Sequence, residues 1–416
     1  RGLRNEDGTG VLVGLTNIGN VVGYERAAEG LVPIEGRLYY RGYEIADLVR
    51  PILEEGRFGF EEASYLLLSG RLPDGEELEE FRQLLVSDMP LKPKTTLNII
   101  ELEGSNIMNI LARSVLELYT YDENPDDISR DNLMRQSVQL ISKFPTIIAY
   151  AYNMLRHKAL GRSLHIRHPQ EGYSLAENFL YMLLGNHYTQ LDARTLDLLL
   201  ILQAEHGGGN NSTFTVRVTS STCTDTYSSI AAGIGSLKGP KHGGANIKVH
   251  DMLNHLKQNI NDWTNETEIQ NYLERIVRGT AYDGSGLIYG IGHAVYTLSD
   301  PRAVLLKGMA RQLAQEKGRT KEFEFMERIE RLAVAAIHDV KGKQKNFCAN
   351  VDFYSGFVYD LIGLPVEIYT PLFAMARIVG WCAHRNEELC FSGRRIIRPA
   401  YRCVADIRNY TPINQR

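Results

Sequence analysis

RTLDLLLILQ, Arg194 to Gln203, is apolar on nearly every side of a helical wheel. A run of this kind suits a helix enclosed all round rather than one lying on a surface, and enclosing it takes other helices. The chain supplies them. EELEEFRQLLVSDM (76–89), IMNILARSVLELYTY (107–121), LMRQSVQLISKFPTIIAYAYNML (133–155) and FEFMERIERLAVAAIHDV (323–340) all space apolar residues three or four apart. Pro145 is expected to kink the third of these. Only residues 10–45 differ, with short β-branched runs broken by Gly and Pro that read as hairpins or extended arms. The fold class is therefore mostly α, with a large helical core.

At 416 residues the chain has room for two or three domains. No linker rich in Pro, Gly and Ser separates them, so two domains would be packed together and joined by short hinges. With 44% hydrophobic and 23% charged residues and a net charge of −4, nothing global points to nucleic acid or a membrane, and no apolar stretch reaches the length of a span. Cys223, Cys348, Cys382, Cys390 and Cys403 are scattered without metal-ligand spacing, as expected in a reducing, cytoplasmic compartment. The opening RGLRNEDGTG lacks a hydrophobic signal core, is too acidic for a transit peptide and does not begin with Met, so an upstream segment is expected to have been removed.

Four short stretches join glycine to a titratable side chain: AEHGGGNNS (His206), GPKHGGAN (His242), GIGHAVY (His293) and NVDFYSG (Asp352). Each alone reads more readily as a capped or hydrogen-bonded turn than as a catalytic group, and His242 in particular reads either as a helix-capping group or as part of a site. Four in one chain favour the site. Arg377 lies in the apolar helix LFAMARIVGW and requires a partner, either a ligand carboxylate or an internal Asp or Glu. Arg302 (SDPRA) and Arg398 (IIRPAY) read individually as solvated surface residues. HIRH (His165, His168) and the His250/His255 pair lack the helical spacing of a metal motif, and neither a P-loop nor a strand-borne dinucleotide fingerprint occurs, so no metal or cofactor is expected. The lysines of KGKQKN, among them Lys343 and Lys345, could hold a phosphorylated ligand.

Taken in order, AEHGGGNNSTFTVR, GSLKGPKHGGAN, GIGHAVYTLSDPRA, NVDFYSG, FAMARIVGWCAHR and IIRPAY resemble the conserved segments of the citrate synthase family, and GRLYYRGYEIADL near the N-terminus is similar too. The resemblance runs nearly end to end and is closest to the bacterial type. It implies two helical domains with the site in the cleft between them: a large one of residues 1–243 and 364–416, and a small one of 244–363 that closes over substrate. It implies condensation of acetyl-CoA with oxaloacetate, then thioester hydrolysis to citrate and CoA. Asp352 would be the base on the acetyl methyl, His242 the donor to the thioester oxygen and His293 the group that polarises the oxaloacetate carbonyl. His206, Arg302 and Arg377 would hold oxaloacetate, with Arg398 supplied across a homodimer interface.

Two departures accompany the resemblance. Thr297 stands where many relatives carry a basic residue near the CoA phosphates, which shifts those contacts to Lys343, Lys345 or Arg1. Around His206, Glu205 keeps one charge of an acidic pair and Gly207 loses the other. The chemistry explains why such residues must cooperate. A carboxylate near pKa 4 facing a carbon acid about ten pKa units weaker has a step about 14 kcal/mol uphill. Donors aimed at the forming oxyanion in a dry cleft lower that cost. The same groups would serve 2-methylcitrate synthase with propionyl-CoA, since one methylene is worth only about 1–3 kcal/mol of discrimination. A catalytically silent, ligand-binding paralogue would be marked by loss of a catalytic residue, and all three are present.

Overall fold

The computed structural model describes residues 3, 5, 10–27, 30–102, 104–342, 346–391 and 395–416. Its N-terminal part is a three-stranded antiparallel sheet of β1 (Gly19–Ala27), β2 (Gly30–Tyr40) and β3 (Tyr43–Glu44). This agrees with the hairpins expected there. The rest is helical. Among the described residues, α1 (Ile45–Glu55), α2 (Phe60–Ser69), α3 (Gly75–Asp88), α4 (Pro93–Glu101), α5 (Ile107–Leu118) and α6 (Arg130–Leu160) come first. Next are α7 (Leu175–Leu184), α8 (Gln190–Gln203), α9 (Asn211–Ser220), α10 (Thr226–Leu237), α11 (Ala245–Asn259) and α12 (Glu266–Val277). The last four are α13 (Pro301–Glu316), α14 (Thr320–Lys341), α15 (Val351–Ile362) and α16 (Tyr369–Cys390). Helix α6 runs through Pro145 as one helical element.

Helix α8 is the axis that the sequence suggested. Thr189 caps it in a reciprocal box with Asp192, and every residue from Thr195 to Gln203 is buried. Its closest company is α16, α13 and α7, and α16 is itself buried from Tyr369 to Arg385. The carbonyls that end α8 have no partner within the helix and are satisfied from elsewhere. The Tyr40 hydroxyl donates to Ile201 O at 2.8 Å, Arg377 Nε donates to Gln203 O at 2.8 Å, and Gly380 N donates to Ala204 O at 3.2 Å. A side chain at Gly380 would collide with the Ala204 carbonyl and the Glu205 carboxylate, so glycine there is what lets α16 cross the end of α8 so closely. In this way the central helix ties the sheet, α16 and the segment carrying His206 into one unit.

Candidate active site

Apart from Arg377, the candidate groups among the described residues sit at a helix end or in a turn or loop. His206 follows α8, His242 lies in the turn between α10 and α11, and His293 lies in the loop before α13. Arg302 is in the first turn of α13, Asp352 in the first turn of α15, and Arg377 in the middle of α16. The loop of His293 and the start of α15 are zipped together. Gly292 N donates to Cys348 O at 2.7 Å, Asn350 N to Gly290 O at 2.9 Å, and the Asn350 side-chain amide to Gly292 O at 2.8 Å. Asn350 is also the N-cap of α15, accepting from Asp352 N at 3.0 Å. One asparagine thereby fixes the base-bearing helix relative to the His293 loop.

Asp300 is a second such node. It caps α13 through Arg302 N (3.0 Å), pairs with the Arg302 guanidinium at Nε (3.0 Å) and Nη2 (2.7 Å), and accepts from Val351 N at 3.3 Å. Arg302 is 3% exposed, so the reading of this arginine as a solvated surface residue is overturned by its burial against Asp300. That carboxylate raises the Arg302 pKa against the opposing effect of burial. The alternative of an internal carboxylate bridge also fails for Arg377. Fully buried, it donates Nε to Gln203 O, while Nη1 and Nη2 have no partner among the described residues. Burial lowers its pKa to about 10, against the attraction of Glu205. Its guanidinium stacks 4.8 Å over the Phe373 ring, whose edge meets the His242 ring.

The histidine partners define tautomers. His293 Nδ1 accepts from Val295 N and Tyr296 N, both at 3.1 Å, so a neutral ring carries its proton on Nε2. That Nε2 lies 3.1 Å from His206 Nε2. His242 Nε2 lies 3.0 Å from Ser212 Oγ and accepts from Ser212 N at 3.4 Å, and the amide contact favours a neutral ring with its proton on Nδ1. Helix α11 is capped by Gly244 with no side-chain bond, so the capping reading of His242 is also set aside. Burial, with Arg377 beside His242 and Arg302 beside His293, pushes both imidazoles down to about 4. Burial lowers His206 well below its usual value, and Arg302, His293, Arg377 and His242 push the same way. Asp352 moves oppositely. Burial raises its carboxyl to about 6, although Arg302 and Arg377 pull it down, and no described residue hydrogen-bonds its side chain. Two neutral imidazoles, a carboxylate of raised pKa and an open guanidinium fork therefore lie within electrostatic reach of one another, and the space between them is the candidate cleft.

Sequence reasoning missed several supports of this arrangement: Asp300, Asn350, Ser212, Gln203 and the fully buried His384, whose Nε2 lies 3.0 Å from Glu205 Oε1. Asp300 before Pro301 and Asn350 before a helical run carried a capping signal; the other three carried none. Arg398 is not brought into this cleft. It lies on the exposed C-terminal segment that is tethered where Ile397 N donates to Ser221 Oγ at 3.0 Å. Lys343, Lys345 and Arg1 lie outside the described residues. The Thr297 hydroxyl is buried without a partner among the described residues. Among those residues no group of three His, Cys, Asp or Glu side chains is arranged to hold a metal ion, and no helix is long and apolar enough to cross a membrane.

The family description "Citrate synthase, C-terminal domain" matches residues 7–400. The citrate synthase of Haloferax volcanii is 35% identical over 92% of this chain and 93% of its own length. A 2-methylcitrate synthase 1 of Corynebacterium glutamicum is 33% identical over 93% and 94%. The Thermoplasma acidophilum citrate synthase, solved as a ternary complex with carboxymethyl coenzyme A and oxaloacetate, superposes with a TM-score of 0.80 at 27% identity, covering 98% and 97% of the two chains. The chain belongs to the citrate synthase family, and its activity is that of a citrate synthase.

Proposed function

We propose that the chain condenses acetyl-CoA with oxaloacetate using Asp352, His242 and His293 as its catalytic residues. Asp352 takes a proton from the acetyl methyl while His242 Nδ1–H donates to the thioester oxygen, so charge leaves the carbon as it forms. The nucleophilic carbon adds to the oxaloacetate carbonyl, which His293 Nε2–H polarises and then protonates. Water hydrolyses the resulting citryl thioester. The observation that carries this reading is the fixed tautomer of His293, because a neutral imidazole held as a donor at the required nitrogen needs no proton from solvent. A carboxyl held at about 6 rather than near 4 also removes on the order of 3 kcal/mol from the uphill proton transfer.

His206, Arg302 and Arg377 are proposed to hold oxaloacetate, with the two free nitrogens of Arg377 gripping one carboxylate as a fork. Asp300 already offsets Arg302, and Glu205 lies beside Arg377, so less positive charge is on offer than the arginine count suggests. A further cation is needed, and Arg398 from a second copy is the proposed source. The segment bearing it is exposed throughout residues 398–416, with Tyr401, Val404, Ile407, Tyr410 and Ile413 presenting apolar surface at every third position. A partner subunit would cover that surface in a homodimer. Residues 244–363 are proposed to move as a small domain that closes on residues 1–243 and 364–416. A reducing, cytoplasmic setting suits five cysteines of which none is disulfide-bonded.

The test is thiol release from acetyl-CoA and from propionyl-CoA with oxaloacetate present. A kcat/KM several-fold higher for acetyl-CoA is expected. A preference for propionyl-CoA would make the protein a 2-methylcitrate synthase with the same catalytic groups, and no thiol release from either thioester would overturn the assignment.

A further inference from the structure

Helices α1, α8 and α13 enclose a cavity of about 170 Å³ that the chemistry above does not use. Ile52, Leu53, Leu198, Ile201, Leu305 and Met309 give it aliphatic walls, and Arg194 lines it as well. Among the described residues the Arg194 guanidinium makes no hydrogen bond and no ion pair, and its Nε is buried. It is pressed against Gly56, where α1 ends with φ 65°, closely enough that a Cβ there would lie 2.9 Å from Nη1. The other charged groups of the cavity are engaged elsewhere. Asp197 turns its two oxygens to Gly59 N (2.8 Å) and Phe60 N (3.1 Å), and Arg57 is paired with Glu55 and Glu62. One unneutralised cation therefore stands in the wall of an aliphatic chamber, on the very helix whose all-round apolarity decided the fold. A guanidinium whose Nε is shut away from water without a partner lacks a hydrogen bond that a ligand or neighbour would normally supply around it.

We propose that this cavity is a second ligand site, taking a small aliphatic carboxylate. Arg194 receives the carboxylate through its free terminal nitrogens, and the leucine, isoleucine and methionine walls receive the alkyl chain. The volume sets the size of the ligand. An apolar cavity of about 150 Å³ in another protein takes up benzene, so about four to six carbons fit here. The site is also wired to the substrate cleft through both of its longer walls. Helix α8 runs from Arg194 to Gln203, about 14 Å at 1.5 Å per residue, and delivers Glu205 and His206. Helix α13 begins at the Asp300 cap and Arg302 before it reaches Leu305 and Met309. A ligand lodged between these helices fixes their separation, and with it the spacing of the groups that grip oxaloacetate. By linkage the two ligands alter one another's affinity by the same factor. This coupling rests on the proposed roles of His206 and Arg302, whereas occupancy of the cavity does not.

Butanoate is the probe, titrated by calorimetry into the full chain, with butanamide as its uncharged counterpart. Two variants separate this cavity from the substrate cleft. Arg194→Met removes the cation and keeps the bulk. Gly308→Leu fills the chamber from α13, at a position that lines the cavity and has no atom within 4 Å of where a Cβ would stand. Saturable binding of butanoate to the unaltered protein in the millimolar range is expected, at least tenfold weaker for butanamide and at least tenfold weaker in each folded variant. The KM for oxaloacetate should change at least twofold at saturating butanoate in the unaltered protein and not in Gly308→Leu. Absence of saturable binding, binding that both variants retain, or complete competitive displacement by oxaloacetate would each overturn the site. Binding that leaves KM unchanged would overturn the coupling.

Discussion

The Nε2 atoms of His206 and His293 stand 3.1 Å apart, in rings whose centroids are 5.0 Å apart. Because two backbone amides occupy His293 Nδ1, His293 is the donor of this pair and His206 the acceptor. An oxaloacetate carbonyl that enters takes the place of His206 as acceptor. If donation is the role of His293, a side chain that still carries an N–H should keep part of the function. His293→Ala should lower kcat about 10²–10³-fold, and His293→Gln should lie measurably between it and the unaltered enzyme. Equal loss in the two variants would argue against a simple donor.

Among the described residues none hydrogen-bonds the carboxylate of Asp352, which rests in the first turn of α15. Asp352→Asn keeps the shape and removes the base. Turnover should fall about 10²–10⁴-fold while oxaloacetate affinity, measured calorimetrically, stays within a few-fold. Turnover near that of the unaltered enzyme would remove Asp352 from the mechanism.

The acid limb of the pH–rate profile distinguishes the carboxyl from the imidazoles. Asp352 must be ionised to accept a proton, and its pKa of about 6 means that the active fraction declines as pH falls through that value. His242 and His293, at about 4, are still neutral there. The profile of kcat/KM should therefore break near pH 6 and drop tenfold for each further pH unit. A plateau extending down to pH 4 would show that Asp352 is not held at a raised pKa.

Arg398 lies outside the cleft of its own chain. If it serves a partner's cleft, Asp352→Asn and Arg398→Ala subunits, each inactive alone, should regain activity when mixed, since some heterodimers contain one intact site. Subunit exchange is checked with differently tagged chains. Verified heterodimers no more active than either parent would place Arg398 in its own subunit or outside the reaction.

Glu205 and His384 are both fully buried and bonded to each other, and although burial raises the Glu205 pKa, His384, Arg377 and the Gly207 amide together hold it below its usual value. His384→Ala strands a buried carboxylate beside the substrate site. The expected cost is about 3–5 kcal/mol of stability, read from denaturant unfolding, because an uncompensated interior charge remains. A loss below 1 kcal/mol would mean that water or Arg377 takes over as the partner.

The all-round apolarity of residues 194–203 and the three- and four-residue spacing elsewhere were enough to predict a helical protein around a buried axis, because periodicity is a local property of the chain. His206, His242, His293 and Asp352 were legible for a related reason. Each stands beside a glycine or a capping residue that places its polar side chain in a turn, a loop or a first helical turn, and those neighbours are visible in the sequence. Tertiary structure alone decided what those groups touch. That Asp300 is the partner of Arg302 and also a cap for Val351 depends on α13 and α15 meeting. That Arg377 keeps a free fork instead of an internal bridge depends on α8 ending against it. The contact that His242 Nε2 makes is with Ser212, which is remote in sequence. Charge partners, tautomers and shifted pKa values arise from distances between chain-distant atoms in a dry interior, and nothing in residue order fixes those distances until the helices have packed.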